Sequence, residues 1–188
     1  MQRTIVWEFA GRPGLECLQL VADAKGVTAE GVVVLGFNTE TVRLRYTIDC
    51  DPDFGFRAAT LTLQCGPQRI SRMVARDDQG IWRVDGRERP DLAPCRDIDV
   101  MATPFTNTLP IRRLGLAPGA AAEIAAAYIR LPDLEIAVAT QEYGRLTGAG
   151  LPARYRYGSR ATGFSAELSV DQDGLVVDYG AIWRRLAG

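Results

Sequence analysis

Apolar and polar side chains alternate with a period of two over much of this chain. Between Thr41 and Asp49, Val42, Leu44, Tyr46 and Ile48 fall on one face, and Arg43, Arg45, Thr47 and Asp49 on the other. That is the signature of a half-buried antiparallel strand. Leu61, Leu63 and Cys65 continue the pattern, as do Phe164, Ala166, Leu168 and Val170. Tyr155 and Tyr157 alternate with Arg154 and Arg156 in the same way. Turn chemistry separates the runs. Ala24-Lys25-Gly26, Asp77-Asp78-Gln79-Gly80 and Asp171-Gln172-Asp173-Gly174 each end in a glycine that can take positive φ, so each predicts a tight turn between strands. The two acidic turns lack the further ligands of a calcium loop.

Two segments break the pattern. Ala120 to Ile129 is alanine-rich and bounded by Pro118-Gly119 and Leu131-Pro132. Propensity makes it a helix candidate, and its uniformly β surroundings tilt the reading to an edge strand. In the stretch from Asp97 to Leu114, Pro104 and Pro110 exclude a continuous helix or a central strand. Thr103, Thr106, Asn107 and Thr108 can bond their own backbone. The expectation there is an ordered irregular loop, the kind of segment that carries function. The whole chain, residues 1–188, then reads as one all-β, mainly antiparallel domain with at most one short helix. Its sheet must hide an apolar face, so it either curls on itself as a roll or partly open barrel or packs a second sheet as a sandwich; a curled sheet can leave a lumen that shelters a ligand.

Composition narrows the chemistry. Histidine is absent, which removes Ser-His-Asp and Cys-His nucleophile systems, His-dependent metal sites and the usual neutral-pH acid–base group. With 22 basic and 23 acidic residues the net charge is −1, so a dedicated nucleic-acid surface is not expected. Lys25 is the only lysine; the remaining cations are arginines. Cys17, Cys50, Cys65 and Cys95 form no CxxC pair, which predicts buried, reduced thiols. Gly148-Ala149-Gly150 lacks the rest of a nucleotide fingerprint. No cofactor is implied. The N-terminal apolar run is short and interrupted by Glu8, and no run reaches the length of a spanning helix. The chain therefore reads as cytoplasmic, with no membrane span and with an oligomeric state that the sequence leaves open.

Candidate site residues cluster in the irregular stretch. Asp97 and Asp99 share a strand face with Cα atoms roughly 6.5–7 Å apart, a spacing suited to a carboxylate pair acting on a sugar or phosphate ester. The competing reading pairs them with arginine. Arg112 and Arg113 offer guanidinium forks for a polar head, or ion pairs with those aspartates. In an extended chain only one of the two can face a pocket. Thr106 and Asn107 add hydrogen-bonding groups. Trp82 and Tyr143 are candidate ring contacts, with plain core packing as the alternative for them and for Trp7, Trp183, Phe9 and Phe105.

Cys95-Arg96-Asp97-Ile98-Asp99, followed by Thr103-Pro104-Phe105-Thr106-Asn107-Thr108-Leu109-Pro110-Ile111-Arg112-Arg113-Leu114, resembles the signature of the bacterial "putative glycolipid-binding" family. Trp7, Gly14-Leu15-Glu16, Gly80-Ile81-Trp82, Gln141-Glu142-Tyr143 and Asp173-Gly174-Leu175-Val176 fall in the order that family shows. The resemblance implies a spiral β-roll similar to periplasmic carriers of bacterial lipoproteins, whose lumen shelters acyl chains. It implies an amphipathic, glycolipid-like partner and no catalytic set. Combined with the residue reading, the expected site is an apolar lumen with an Arg/Asn rim. A carboxylate-dependent hydrolase through Asp97 and Asp99 stands as the alternative.

Overall fold

The computed structural model describes residues 1–37, 40–148 and 150–188; Ala149 of the Gly148-Ala149-Gly150 run lies outside them. The alternating runs become strands β1 (Gln2–Phe9), β2 (Gly14–Asp23), β3 (Gly26–Phe37), β4 (Glu40–Cys50), β5 (Phe56–Cys65) and β6 (Gln68–Arg76). Short strands β7 (Trp82–Val84), β8 (Arg87–Glu88) and β9 (Asp97–Val100) follow. A 3-10 turn (Phe105–Asn107) leads into the only α-helix among the described residues, α1 (Thr108–Leu114). The chain then completes the sheet with β10 (Ala121–Ile129), β11 (Ile136–Arg145), β12 (Ala153–Ser159), β13 (Ser165–Val170), β14 (Val176–Tyr179) and β15 (Trp183–Ala187).

All fifteen strands belong to one sheet, in the order β8-β7-β6-β5-β4-β3-β2-β1-β15-β14-β13-β12-β11-β10-β9. Neighbours are antiparallel except β9 and β10, which pair in parallel. The first and last strands of the chain pair with each other, Phe9 opposite Trp183. The two outer strands, β8 and β9, do not pair, so the sheet curls without closing into a barrel. The alternation is realised closely: in β4, Val42, Leu44, Tyr46 and Ile48 are buried. The acidic turns are held by their own aspartates. Asp77 Oδ1 accepts from the Gln79 and Ile81 amides, and Asp171 Oδ1 from the Asp173 and Leu175 amides.

Three expectations change. Residues 121–129 form a strand, but not at the edge, because β9 caps them on one side and β11 pairs on the other. The stretch after β9 is helical rather than irregular. Pro110 is tolerated as the third residue of α1, in the first turn, where a backbone N–H has no partner four residues back. Gly115, at φ 52°, ends the helix in the left-handed region. The four thiols are free, with Cys50 and Cys95 buried, but Cys17 is exposed. Among the described residues no helix is long and apolar enough to cross a membrane.

The 3-10 turn and α1 lie inside the curl. Phe105, Thr106, Asn107, Thr108, Leu109, Pro110 and Ile111 are all buried. The chain thus fills part of the concavity with its own segment and leaves space beside it.

Candidate functional site

That space is a cavity of about 350 Å³ between the buried segment and the concave face of β10 to β15. Pairing registers explain which side chains reach it. Gln141 lies opposite Ser159, Tyr143 opposite Tyr157, and Tyr179 opposite Trp183; opposed residues share a face. Asp99 pairs with Tyr128 across the parallel β9–β10 ladder and so faces inward as well. Ala139 also lines the cavity, and its small side chain preserves room there.

The cavity is lined mainly by apolar surface, with a few buried polar groups set into it. Thr103, Asn107 and Gln141 are at most 4 % exposed and contribute to its lining. Tyr157, Tyr179 and Trp183 are buried beside them. Met101 and Phe164 are 44 % and 40 % exposed and border the same cavity. A second recess of about 60 Å³ is lined by Leu35, Gly36, Ala102 and Leu131, with Arg12 beside them, and shares Phe9 and Met101 with the first. No lysine or arginine among the described residues lines the larger cavity.

Hydrogen bonds fix the polar end. Gln141 Nε2 donates to Asp99 Oδ2 at 2.6 Å, and Thr106 Oγ1 donates to Asp99 Oδ1 at 3.2 Å. Burial raises the Asp99 carboxyl above its ordinary range, against these two lowering bonds. The Tyr143 hydroxyl donates to Asn107 Oδ1 at 2.9 Å, and Asn107 Nδ2 donates to the Pro104 carbonyl at 3.2 Å. One acceptor is left over: Gln141 Oε1 is buried without a partner among the described residues. The hydroxyls of Tyr128, Tyr157 and Tyr179 make no hydrogen bond to described residues either. Burial, and then the nearby Asp99, push all three phenols up, so they stay neutral and can donate.

The segment is clamped from the other side by Glu16. This carboxyl is fully buried; its Oε1 accepts from the Tyr46 hydroxyl and from Thr103 Oγ1, the latter at 2.7 Å. Thr103 Oγ1 in turn accepts the Phe105 amide at 3.0 Å. Glu16 Oε2 has no partner among the described residues. Desolvation lifts the Glu16 pKa to about 8, the bonds from Tyr46 and Thr103 acting against it.

The residues singled out in the sequence divide. Asp99 and Asn107 line the cavity, while Thr106 and Tyr143 hold them in place. Asp97 is 1 % exposed and committed to Arg113, whose Nε lies 3.1 and 3.2 Å from its oxygens and whose Nη2 lies 2.5 Å from Oδ2. Arg112 stacks on the Phe54 ring at 4.1 Å and donates to the Asp173 carbonyl at 2.8 Å. Neither arginine lines the cavity, whose exposed lining residues include Met101, Phe164 and Thr162. Trp82 sits elsewhere, stacked on Phe56 at 5.2 Å with its indole N–H on the Cys95 carbonyl. Sequence reasoning did not single out Gln141, Tyr128, Tyr157, Tyr179 or Glu16 as site residues. Their signal was parity: Glu16 shares the register of Leu18 and Leu20, so a strand buried at the latter two must also bury a carboxylate.

Comparison with known proteins gives a consistent result. The family model described as "Putative glycolipid-binding" matches residues 4–185. The crystal structure of a DUF1089 family protein from Pseudomonas aeruginosa is similar at 34% identity, TM-score 0.81, with 92% of each chain covered. A beta-barrel-like protein of domain of unknown function DUF1849 from Brucella abortus shares the fold at TM-score 0.58 and 9% identity, covering 100% of this chain and 95% of its own. No curated protein matches the chain.

Proposed function

The chain belongs to the "Putative glycolipid-binding" family, and from that premise we propose that it binds an amphipathic small molecule in the cavity beside Asp99 and Asn107. One observation carries the reading. Beside its own buried helix the protein keeps a cavity of about 350 Å³ whose buried polar groups are not all satisfied. An unpaired buried acceptor costs stability, and a ligand that supplies its partner recovers that cost. The volume lies at the lower end of small-molecule pockets, so it suits one part of an amphiphile rather than the whole.

A hydrolytic role through Asp97 and Asp99 finds no support in this geometry. Asp97 is neutralised by a bidentate guanidinium, which leaves one carboxyl where paired acid–base chemistry needs two. The binding reading is tested by native mass spectrometry of the purified protein, with organic extraction and analysis of what is released. Retention of an amphiphile, or saturable uptake of one added below its micelle concentration, is expected. A protein that carries none and takes up none ends the reading.

A further inference from the structure

We propose that this cavity takes the ligand head-first: it is a socket for a neutral, hydroxyl-rich ring such as a glycosyl group, and the hydrocarbon tail leaves it across the rim. This inference rests on the binding reading above and fixes its orientation, which is opposite to that of a lumen that swallows acyl chains.

Four observations lead there. The first is the unpartnered oxygen of Gln141, 1 % exposed and in the cavity lining. An amide oxygen only accepts, so the group that satisfies Gln141 Oε1 must be a donor; Nε2 already gives one hydrogen to Asp99. The second is the set of free hydroxyls on Tyr128, Tyr157 and Tyr179. Each can donate or accept, which matches a ring carrying several hydroxyls and is wasted on a methylene chain. The third is charge. The cavity contains one carboxyl, Asp99, and no cation. A phosphate, sulfate or fatty-acid head would be desolvated beside a carboxyl with no countercharge, which is strongly unfavourable. Arg113 is held by Asp97, and Arg112 by Phe54 and Asp173; Arg12 lies over the Phe9 ring at 5.7 Å and lines the smaller recess, not the cavity. The fourth is placement: the polar groups Thr103, Asn107 and Gln141 are buried, while Met101 and Phe164 are exposed at the rim beside Thr162 and offer apolar surface to a tail. The 60 Å³ recess that shares Phe9 and Met101 gives the first part of a tail an apolar path.

Calorimetric titration separates the orientations. The probes are decyl hexosides (gluco, galacto and manno) used below their micelle concentrations, the corresponding methyl hexosides, decanoate and decyl phosphate. Head-first binding predicts that at least one decyl hexoside binds, that its methyl hexoside competes with it, and that decanoate and decyl phosphate bind at least tenfold more weakly. Tyr157→Phe removes only a hydroxyl that makes no internal hydrogen bond, so folding is spared. It is expected to weaken the decyl hexoside several-fold and to leave any residual decanoate binding unchanged. Gln141→Leu is expected to do the same more strongly. Decanoate or decyl phosphate binding as tightly as every hexoside, or a Tyr157→Phe protein with unchanged hexoside affinity, overturns the head-first orientation while amphiphile binding itself stands. Binding of none of the probes, with no amphiphile in the extract, removes both.

Discussion

Tyr46 on β4 reaches across β3 to hydrogen-bond Glu16 on β2, and it does so over Gly31, the residue that pairs with both Tyr46 and Leu18. A Cβ at Gly31 would lie 2.1 Å from the Tyr46 ring carbon that bears the hydroxyl. The glycine is therefore the gap through which a ring from one strand meets a carboxyl two strands away. Gly31→Ala should force the ring aside and break the clamp on Thr103, costing about 1–3 kcal/mol as an overpacked core does. Chemical denaturation measures it. In the double variant with Tyr46→Ala the added methyl has space, so the two losses should be clearly less than additive; simple additivity would show that the ring yields without cost.

Glu16 also makes stability depend on pH. Its folded pKa is raised from 4.5 to about 8 by burial, so between those values the folded protein holds a proton that the unfolded chain releases. Stability should be fullest at pH 4.5 and below as far as this group is concerned. It should fall as pH rises towards 8, by on the order of 1 kcal/mol per pH unit, and then level off. Asp99, raised by the same desolvation, contributes in the same direction. Thermal melts of the parent and of Glu16→Gln across pH 5 to 9 isolate the term: the variant should show a flatter profile. Parallel profiles would mean that Glu16 is ionised or rehydrated in the fold.

The ion pair of Asp97 and Arg113 ties β9 to the end of α1, and its two halves are unequal. Asp97 is 1 % exposed on its side chain and Arg113 26 %. Breaking a fully buried pair from one side costs about 3–5 kcal/mol; the partial exposure of the arginine brings Arg113→Met down to about 2–3 kcal/mol. Asp97→Leu combined with Arg113→Met removes both charges and should recover most of the loss. Urea unfolding of the three proteins decides the matter. Recovery would identify a structural pair; a double variant no better than Arg113→Met would mean that the charges do more than neutralise each other.

The sequence made the curl legible because antiparallel strands with one buried face write their burial directly into odd and even positions, as Val42, Leu44, Tyr46 and Ile48 do. What it hid was anything set by three-dimensional proximity. Pro110 looked like a helix breaker, since position within the first turn depends on where α1 begins. Arg112 and Arg113 looked available, because Phe54 and Asp173, which occupy Arg112, lie 58 and 61 residues away in the chain. Asp97 as the partner of Arg113 was one of the readings open from the sequence; that Asp99 would instead meet Gln141, 42 residues on, was not. That Arg112 and Arg113 stay out of the cavity lining has the same cause. Register and curl bring Gln141 and the tyrosines together inside, and leave Met101 and Phe164 outside.

The head-first orientation makes one rim residue a direct probe of where the tail goes. Phe164 is 40 % exposed, borders the cavity and sits 6.1 Å from the Tyr157 ring. If the hydrocarbon leaves over it, each methylene covered by the rim contributes up to ~0.8 kcal/mol, and affinity should climb with alkyl length from methyl to decyl hexoside before levelling off where the chain passes beyond the protein. Phe164→Ser removes apolar surface at the exit without touching the buried acceptors. It should flatten that climb while leaving the methyl hexoside's Kd within about twofold, a change of less than ~0.5 kcal/mol. The contrary pattern, an intact chain-length dependence with a weakened methyl hexoside, would place the ring rather than the tail against Phe164. The same titration on Met101→Ser tells which side of the rim the chain takes, since Met101 alone of the two also borders the apolar recess at Leu35 and Leu131.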